Sequence, residues 1–238
     1  MDWIAILLMV IKGIVLSLGA TGMFAYFTLF ERRLLARFQN RIGPNRAGPN
    51  GFLQPIADAV KLFVKEDVTP ILADKWIYLV APAFAVVPAL VIWATIPLGY
   101  WPDGMGGNWL QLADINVAVL YFLAITSLGV YGIAIAGWAS NNKYSMLGGI
   151  RASAQVISYE LALGLAVLGA VMQNETFSMS EMVLRQRGLW NILPQFLGFV
   201  VFLIASTAEV VRAPFDLVEA EQELVGGYNT EYGSMKFA

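Results

Sequence analysis

Apolar residues run through this chain in long blocks, and polar residues gather between the blocks rather than alternating within them. Five such stretches, near 3–30, 77–99, 115–138, 154–173 and 191–208, are long enough for a helix to cross about 30 Å of hydrocarbon. The pattern predicts an all-α, polytopic integral membrane protein, with about five transmembrane helices in a single membrane domain over 1–238. One long polar interruption breaks the first half, ERRLLARFQNRIGPNRAGPNGFLQPIADAVKLFVKED, from Glu31 to Asp67. Its Gly43-Pro44 and Gly48-Pro49 dipeptides are turn signals. Beyond Pro55 the apolar positions take up helical spacing. Phe52, Ile56, Val60, Phe63 and Val64 share one face, and Asp58, Lys61 and Lys65 fall opposite. That segment reads as a helix lying along a membrane or a partner rather than spanning.

Composition sharpens this picture. The chain has 238 residues, 58% hydrophobic and only 13% charged, against about 25% charged in a typical soluble domain. The first apolar stretch lacks a basic leader and a small-residue cleavage site, so it reads as a span and not as a cleaved signal. Residues 31–76 carry eight Lys/Arg, and the interval near 100–114 carries none. The positive-inside rule then places 31–76 in the cytoplasm and the N-terminus outside. Five spans put the 209–238 segment on the cytoplasmic side too, with Arg185 and Arg187 as outer-side exceptions.

The sequence contains no cysteine and no histidine, so it offers neither a cysteine-ligated iron–sulfur cluster, nor a disulfide, nor His-type haem ligation. It holds no GxGxxG fingerprint and no P-loop. A net charge of -2 gives no nucleic-acid footprint. No metal site is expected, and electrons would have to come from another chain.

Several polar residues carry candidate chemistry. Arg32, Arg33, Arg37, Arg41 and Arg46 follow a span, where positive charge ordinarily anchors topology. Asp58 has Lys61 at i+3, a pairing that stabilises an isolated helix by about 0.2–0.5 kcal/mol. Glu160 stands inside an apolar run, where an acid costs roughly 2.5–3.5 kcal/mol on insertion scales, and such acids are proton-path candidates. Ser153, Glu160 and Gly164 share a helical face, and Gly164 would admit a close neighbouring helix. Glu209, Asp216, Glu219, Glu221, Glu223 and Glu231 crowd the C-terminal region with Arg212 among them. Pro214 suits a first helical turn, so Asp216 and Glu219 are also explained as charges at a positive helix end. The remaining acids are not so explained, and crowded carboxylates raise one another's pKa.

Three blocks carry a family resemblance: the Glu31–Asp67 stretch, GWASNNKYSMLGGIRASAQVISYE (Gly137–Glu160) and AEVVRAPFDLVEAEQELVGGYNTEY (Ala208–Tyr232). Together they resemble the quinone-site membrane subunit of respiratory complex I, the H-subunit family of NADH–quinone oxidoreductase. The resemblance implies a protein that completes a quinone-binding chamber and couples quinone reduction to proton translocation. Quinone is then the substrate, with no covalently bound cofactor here and with iron–sulfur clusters and flavin in partner subunits. It implies quinone-binding roles for Arg32, Arg41, Asp58, Arg212 and Phe215. Proton-coupling roles fall to Glu31, Glu160, Glu209, Asp216, Glu219, Glu221, Glu223 and Glu231. It further implies other membrane and peripheral iron–sulfur subunits as partners, no nucleic acid, and a bacterial plasma membrane. Val210, Val211 and Gln222 depart from the usual pattern. Members continue with further spans beyond the last block, so the sequence reads as the N-terminal portion of the family fold. Two alternatives stay open at this point: the homologous membrane subunit of an ion-pumping hydrogenase, and an autonomous ion or solute transporter.

Overall fold

The structure, a computed structural model, describes residues 3–99, 110–211, 214–215 and 224–236. Among the described residues all regular structure is helical: seven α-helices and three short 3-10 turns. The chain divides into two compact units, residues 1–68 with 233–238, and residues 69–232.

The first unit is built on α1 (Trp3–Phe38). This helix does not stop where the apolar run stops, near residue 30, but continues through Glu31-Arg32-Arg33 to Phe38. Leu, Ala and Arg are good helix formers, and nothing in ERRLLARF breaks the backbone ladder. Asn40 ends it in the left-handed region (φ 51°). Arg41 N donates to Ala36 O at 2.9 Å and Asn40 N to Arg37 O at 3.1 Å, the paired bonds of a Schellman cap. The Gly-Pro loop then folds on itself. A Cβ on Gly51 would lie 2.3 Å from the Pro44 carbonyl oxygen, and the φ of Gly51 is +75°, so only glycine fits there. Next comes α2 (Gln54–Val64), opened by Pro55 near its N-terminus. Its predicted apolar face is exposed throughout, from 52% at Phe52 to 81% at Val64. Ser234 Oγ donates toward Leu62 O and Lys65 O at 2.9 and 3.0 Å, and Lys236 pairs with Asp67 at 2.8 Å. These contacts tie residues 234–236 to the end of α2.

The second unit packs α3 (Lys75–Ile92), α4 (Ala118–Ala139), α5 (Lys143–Asn174) and α7 (Phe196–Glu209), with the short α6 (Met179–Arg185) after α5. Small residues set the crossings. Gly132 of α4 sits against the backbone of Ala81 and Ala85 on α3, and Gly137 faces Gly149 across the α4–α5 contact. Asn142 caps α5 by accepting from Tyr144 N at 3.0 Å, and Asp74 caps α3 by accepting from Ile77 N at 3.5 Å.

Four helices, α1, α3, α4 and α5, are long and apolar enough to cross a membrane. Three further boundaries differ from the sequence pattern. α5 begins at Lys143 rather than near 154, because its cap and the Gly137–Gly149 crossing outweigh the weak helix preference of Gly148-Gly149. α3 ends at Ile92, before Pro97. There the chain turns, and Ala113 N donates to Ala94 O at 2.8 Å while Gln111 Nε2 donates to Thr95 O at 3.1 Å. The fifth stretch holds only a 14-residue helix, about 21 Å long, because Pro194 lacks a donor and residues 191–195 form turns instead.

Candidate functional site

In the first unit the long α1 brings its arginines alongside α2. Arg32 Nη1 donates to Asp58 Oδ2 at 2.6 Å, and Gln54 Nε2 donates to Asp58 Oδ1 at 3.0 Å. Both carboxylate oxygens of Asp58 are therefore occupied, by α1 and by the preceding turn of α2. Asp58 pairs with Arg32, 26 residues away, and not with Lys61. The pair is half exposed on the arginine side, so it adds at most about 1 kcal/mol of stability. Arg33 turns the other way. It donates to Asn50 O and lies over the Phe52 ring at 5.3 Å, bracing the Gly-Pro loop. Arg41 is exposed and donates to Gln39 Oε1 at 2.7 Å, apart from the Arg32–Asp58 pair. Glu31 is partly buried on α1.

In the second unit two acids stand on apolar helices. Glu160 lies in the middle of α5 and Glu209 is the last residue of α7, each partly buried, on helices that pack against each other. Thr126 of α4 donates to Leu123 O at 2.9 Å, with Glu160 Oε1 3.5 Å from the same hydroxyl. Among the described residues no hydrogen bond or ion pair reaches the Glu209 carboxylate. Phe215 is held beside this pair. Its carbonyl accepts from Gln155 Nε2 at 2.8 Å, and its ring packs edge-on to Tyr159 at 5.3 Å. Ser153 bonds back to Gly149 O at 2.7 Å. Nothing approaches the Cβ position of Gly164 closer than 3.9 Å, and the tight crossings fall instead at Gly132, Gly137 and Gly149.

Glu231 stands elsewhere in the second unit. Its Oε1 accepts from Asn142 Nδ2 at 2.6 Å, and its backbone carbonyl accepts from Tyr78 OH at 2.7 Å. Tyr78 and Tyr232 stack with centroids 4.2 Å apart, and Tyr232 OH donates to Tyr78 O at 3.3 Å. Burial, with Tyr78 alongside, pushes the Tyr232 phenol well above its usual pKa, so it remains a neutral donor. The turn at 227–229 lies directly on α5: a Cβ on Gly148 would sit 2.5 Å from Gly227 Cα. Along α5, Asn142 and Gln155 are 13 positions apart, roughly 20 Å. Glu209 and Glu231 therefore belong to different levels of the bundle rather than to one tight cluster. A cavity of about 450 Å³ also opens at the Asn142 end, lined in part by Asp74, Trp138, Asn141 and Lys143, and it holds none of the acids at the Glu160 level.

Arg212, Asp216, Glu219, Glu221 and Glu223 lie outside the described residues. The sequence pattern did not single out Gln155, Tyr159, Thr126, Asn142 or Tyr78. A helical-face reading around Glu160 could have reached Tyr159 next to it, but the partners of Gln155 lie 53 and 60 residues further on.

The chain matches the family described as NADH dehydrogenase over residues 11–238. It belongs to that family. A relative from Symbiobacterium thermophilum, named as H subunit 1 of NADH-quinone oxidoreductase, is 50% identical over 235 residues, covering 99% of this chain and 70% of the relative. Geobacter metallireducens has a protein of the same name, 52% identical over 215 residues, 90% of this chain and 65% of the relative. The NADH-quinone oxidoreductase H protein of Deinococcus deserti is 52% identical over 242 residues, 100% of this chain and 61% of the relative. The chain thus spans about two thirds of the length of these relatives.

Proposed function

We propose that this chain is a membrane subunit of a proton-pumping NADH–quinone oxidoreductase, where it forms part of the quinone-binding chamber and couples quinone reduction to proton translocation. Family membership and the names of its relatives support the assignment to that enzyme over an autonomous transporter or a hydrogenase component. Reduction of a quinone to quinol takes two electrons and two protons. With no cysteine or histidine to hold a redox centre, this chain's share of the work is to bind, orient and deliver protons. Arg32 and Asp58 form the quinone-facing charge pair, together with Arg41, Arg212 and Phe215. Glu160 and Glu209 lead the proton-coupling set, with Glu31, Asp216, Glu219, Glu221, Glu223 and Glu231. The partners are further membrane subunits and peripheral iron–sulfur and flavin subunits, in a bacterial plasma membrane. The N-terminus lies outside, and 31–76 and the C-terminal segment are cytoplasmic.

One observation carries this reading: two partly buried carboxylates stand on apolar helices that pack against each other, and neither is ion-paired among the described residues. Structural acids in such places are held by cations or by strong hydrogen bonds. The test is Glu209→Gln in the assembled complex. Glutamine keeps the shape and hydrogen-bonding capacity but cannot take up and release a proton. Assembly is expected to survive while quinone-linked electron transfer per complex falls. Wild-type turnover would leave the acids structural.

A further inference from the structure

We infer that Gln155 is a positioning residue for Glu209, its amide tying the carbonyls of Ala208 and Phe215 to α5. The inference rests on the reading of Glu160 and Glu209 as coupling groups.

A side-chain amide has two N–H donors, and Gln155 directs its nitrogen at two carbonyls from different places in the chain. Nε2 lies 3.3 Å from Ala208 O and 2.8 Å from Phe215 O. Ala208 is fully buried at the end of α7, where helix carbonyls run out of intrahelical donors. Its oxygen faces the turn N–H groups of Val210 and of Val211, the latter at 3.2 Å, and Gln155 adds a side-chain donor. The backbone between the two anchors is unusual. Val211 takes a left-handed φ of 53°, a conformation that β-branched residues avoid and that persists only where surrounding contacts enforce it. One turn beyond Gln155, Tyr159 props the Phe215 ring. Glu160 follows directly. Residues 155–160 of α5, a little over one and a half turns, thus carry the clamp, the prop and the acid Glu160, while Glu209 directly follows the clamped Ala208. Releasing the clamp frees the end of α7 to move relative to Glu160.

Two substitutions in the full-length chain, in the assembled complex, separate positioning from packing. Gln155→Met keeps the length and removes both donors. Gln155→Glu is nearly isosteric. When ionised it turns acceptor oxygens toward two carbonyls, and when protonated it returns one O–H donor. Among the described residues, the other titratable groups near this position are Glu209 on α7, and Arg151, Tyr159 and Glu160 on α5; Arg212 and Asp216 lie outside the described residues. Gln155→Met retains all of these without the new carboxyl, so it isolates that carboxyl's titration. At neutral pH both variants are expected to lose about tenfold in turnover per assembled complex, within what a misplaced group costs. As pH falls, the Gln155→Glu deficit should shrink while that of Gln155→Met stays constant. Amide exchange at residues 209–211 should rise in Gln155→Met. Loss of assembly with wild-type turnover in the surviving complex would overturn the proposal, as would equal, pH-independent deficits in the two variants. If Glu209→Gln impairs turnover but both Gln155 variants are normal, the clamp is wrong and the coupling reading stands. If Glu209→Gln is normal while exchange at 209–211 still rises in Gln155→Met, the clamp stands and the coupling reading falls.

Discussion

Asp58 and Glu209 are both carboxylates on helices of the same chain, and their surroundings are opposite. Asp58 has a guanidinium on one oxygen and an amide on the other, so its charge is balanced where it sits. Glu209 has no hydrogen-bonded or ion-paired partner among the described residues, and its helix packs against the one that carries another acid, Glu160. A balanced charge is suited to hold a ligand or fix a geometry. An unbalanced one, in apolar surroundings, responds to the next charge that arrives. On the proposed function the same residue chemistry serves two tasks, and helix placement decides which.

The largest effect should come from the unbalanced side. Glu209→Gln is expected to lower quinone-linked turnover at least tenfold with assembly intact. Glu160→Gln should do the same, and the double variant should be no worse than the more severe single one, as for groups that act as one unit. Independent, multiplicative losses would break the pairing.

The balanced side should respond differently. Asp58→Asn removes one charge of a half-exposed pair, so stability should change by less than about 1 kcal/mol while the apparent affinity for quinone drops. The swap Arg32→Asp with Asp58→Arg should restore assembly and stability but not quinone affinity. Recovery of both would make the pair purely structural.

Glu231 tests whether position along α5 matters. Tyr78→Phe removes one hydrogen bond to its carbonyl and should cost about 1 kcal/mol. Turnover per assembled complex should stay near wild type, because the substitution leaves the Glu231 carboxylate and its Asn142 partner in place, roughly 27 Å along α5 from Glu160.

The smallest effect concerns Glu181, outside the long apolar helices. Hydrogen bonds from Thr176 and then Arg185 hold its carboxyl below the usual carboxylate pKa. A lowered pKa contributes stability that is complete above the ordinary value and is lost as pH falls through the folded one. Amide exchange across α6 should therefore rise below about pH 4. Glu181→Gln should remove that acid dependence and leave turnover unchanged.

Much of this contrast was legible in the sequence. Block length located α3, α4 and the body of α5, and helical spacing located the exposed apolar face of α2. The acid at Glu160 stood out against its apolar neighbours. Lost were features decided by tertiary contact. ERRLLARF reads as a polar boundary, yet it continues α1 and so brings Arg32 to Asp58. Gly148-Gly149 reads as loop, yet it lies inside α5 because a second backbone must come close. Pro194 was visible, but its shortening of α7 needed the turn geometry. Gln155 gave no signal, because an amide in an apolar helix acquires meaning only from carbonyls that the fold brings to it.

Parallel recording of proton uptake and electron transfer in membrane vesicles, for Asp58→Asn and Glu209→Gln, tests the contrast most directly. Asp58→Asn should need more quinone to reach half-maximal rate while moving the wild-type number of protons per electron. Glu209→Gln should bind quinone with wild-type affinity, yet turn over slowly and move fewer protons per electron. The reverse assignment, with the proton ratio lost in Asp58→Asn and kept at full rate in Glu209→Gln, would contradict the account.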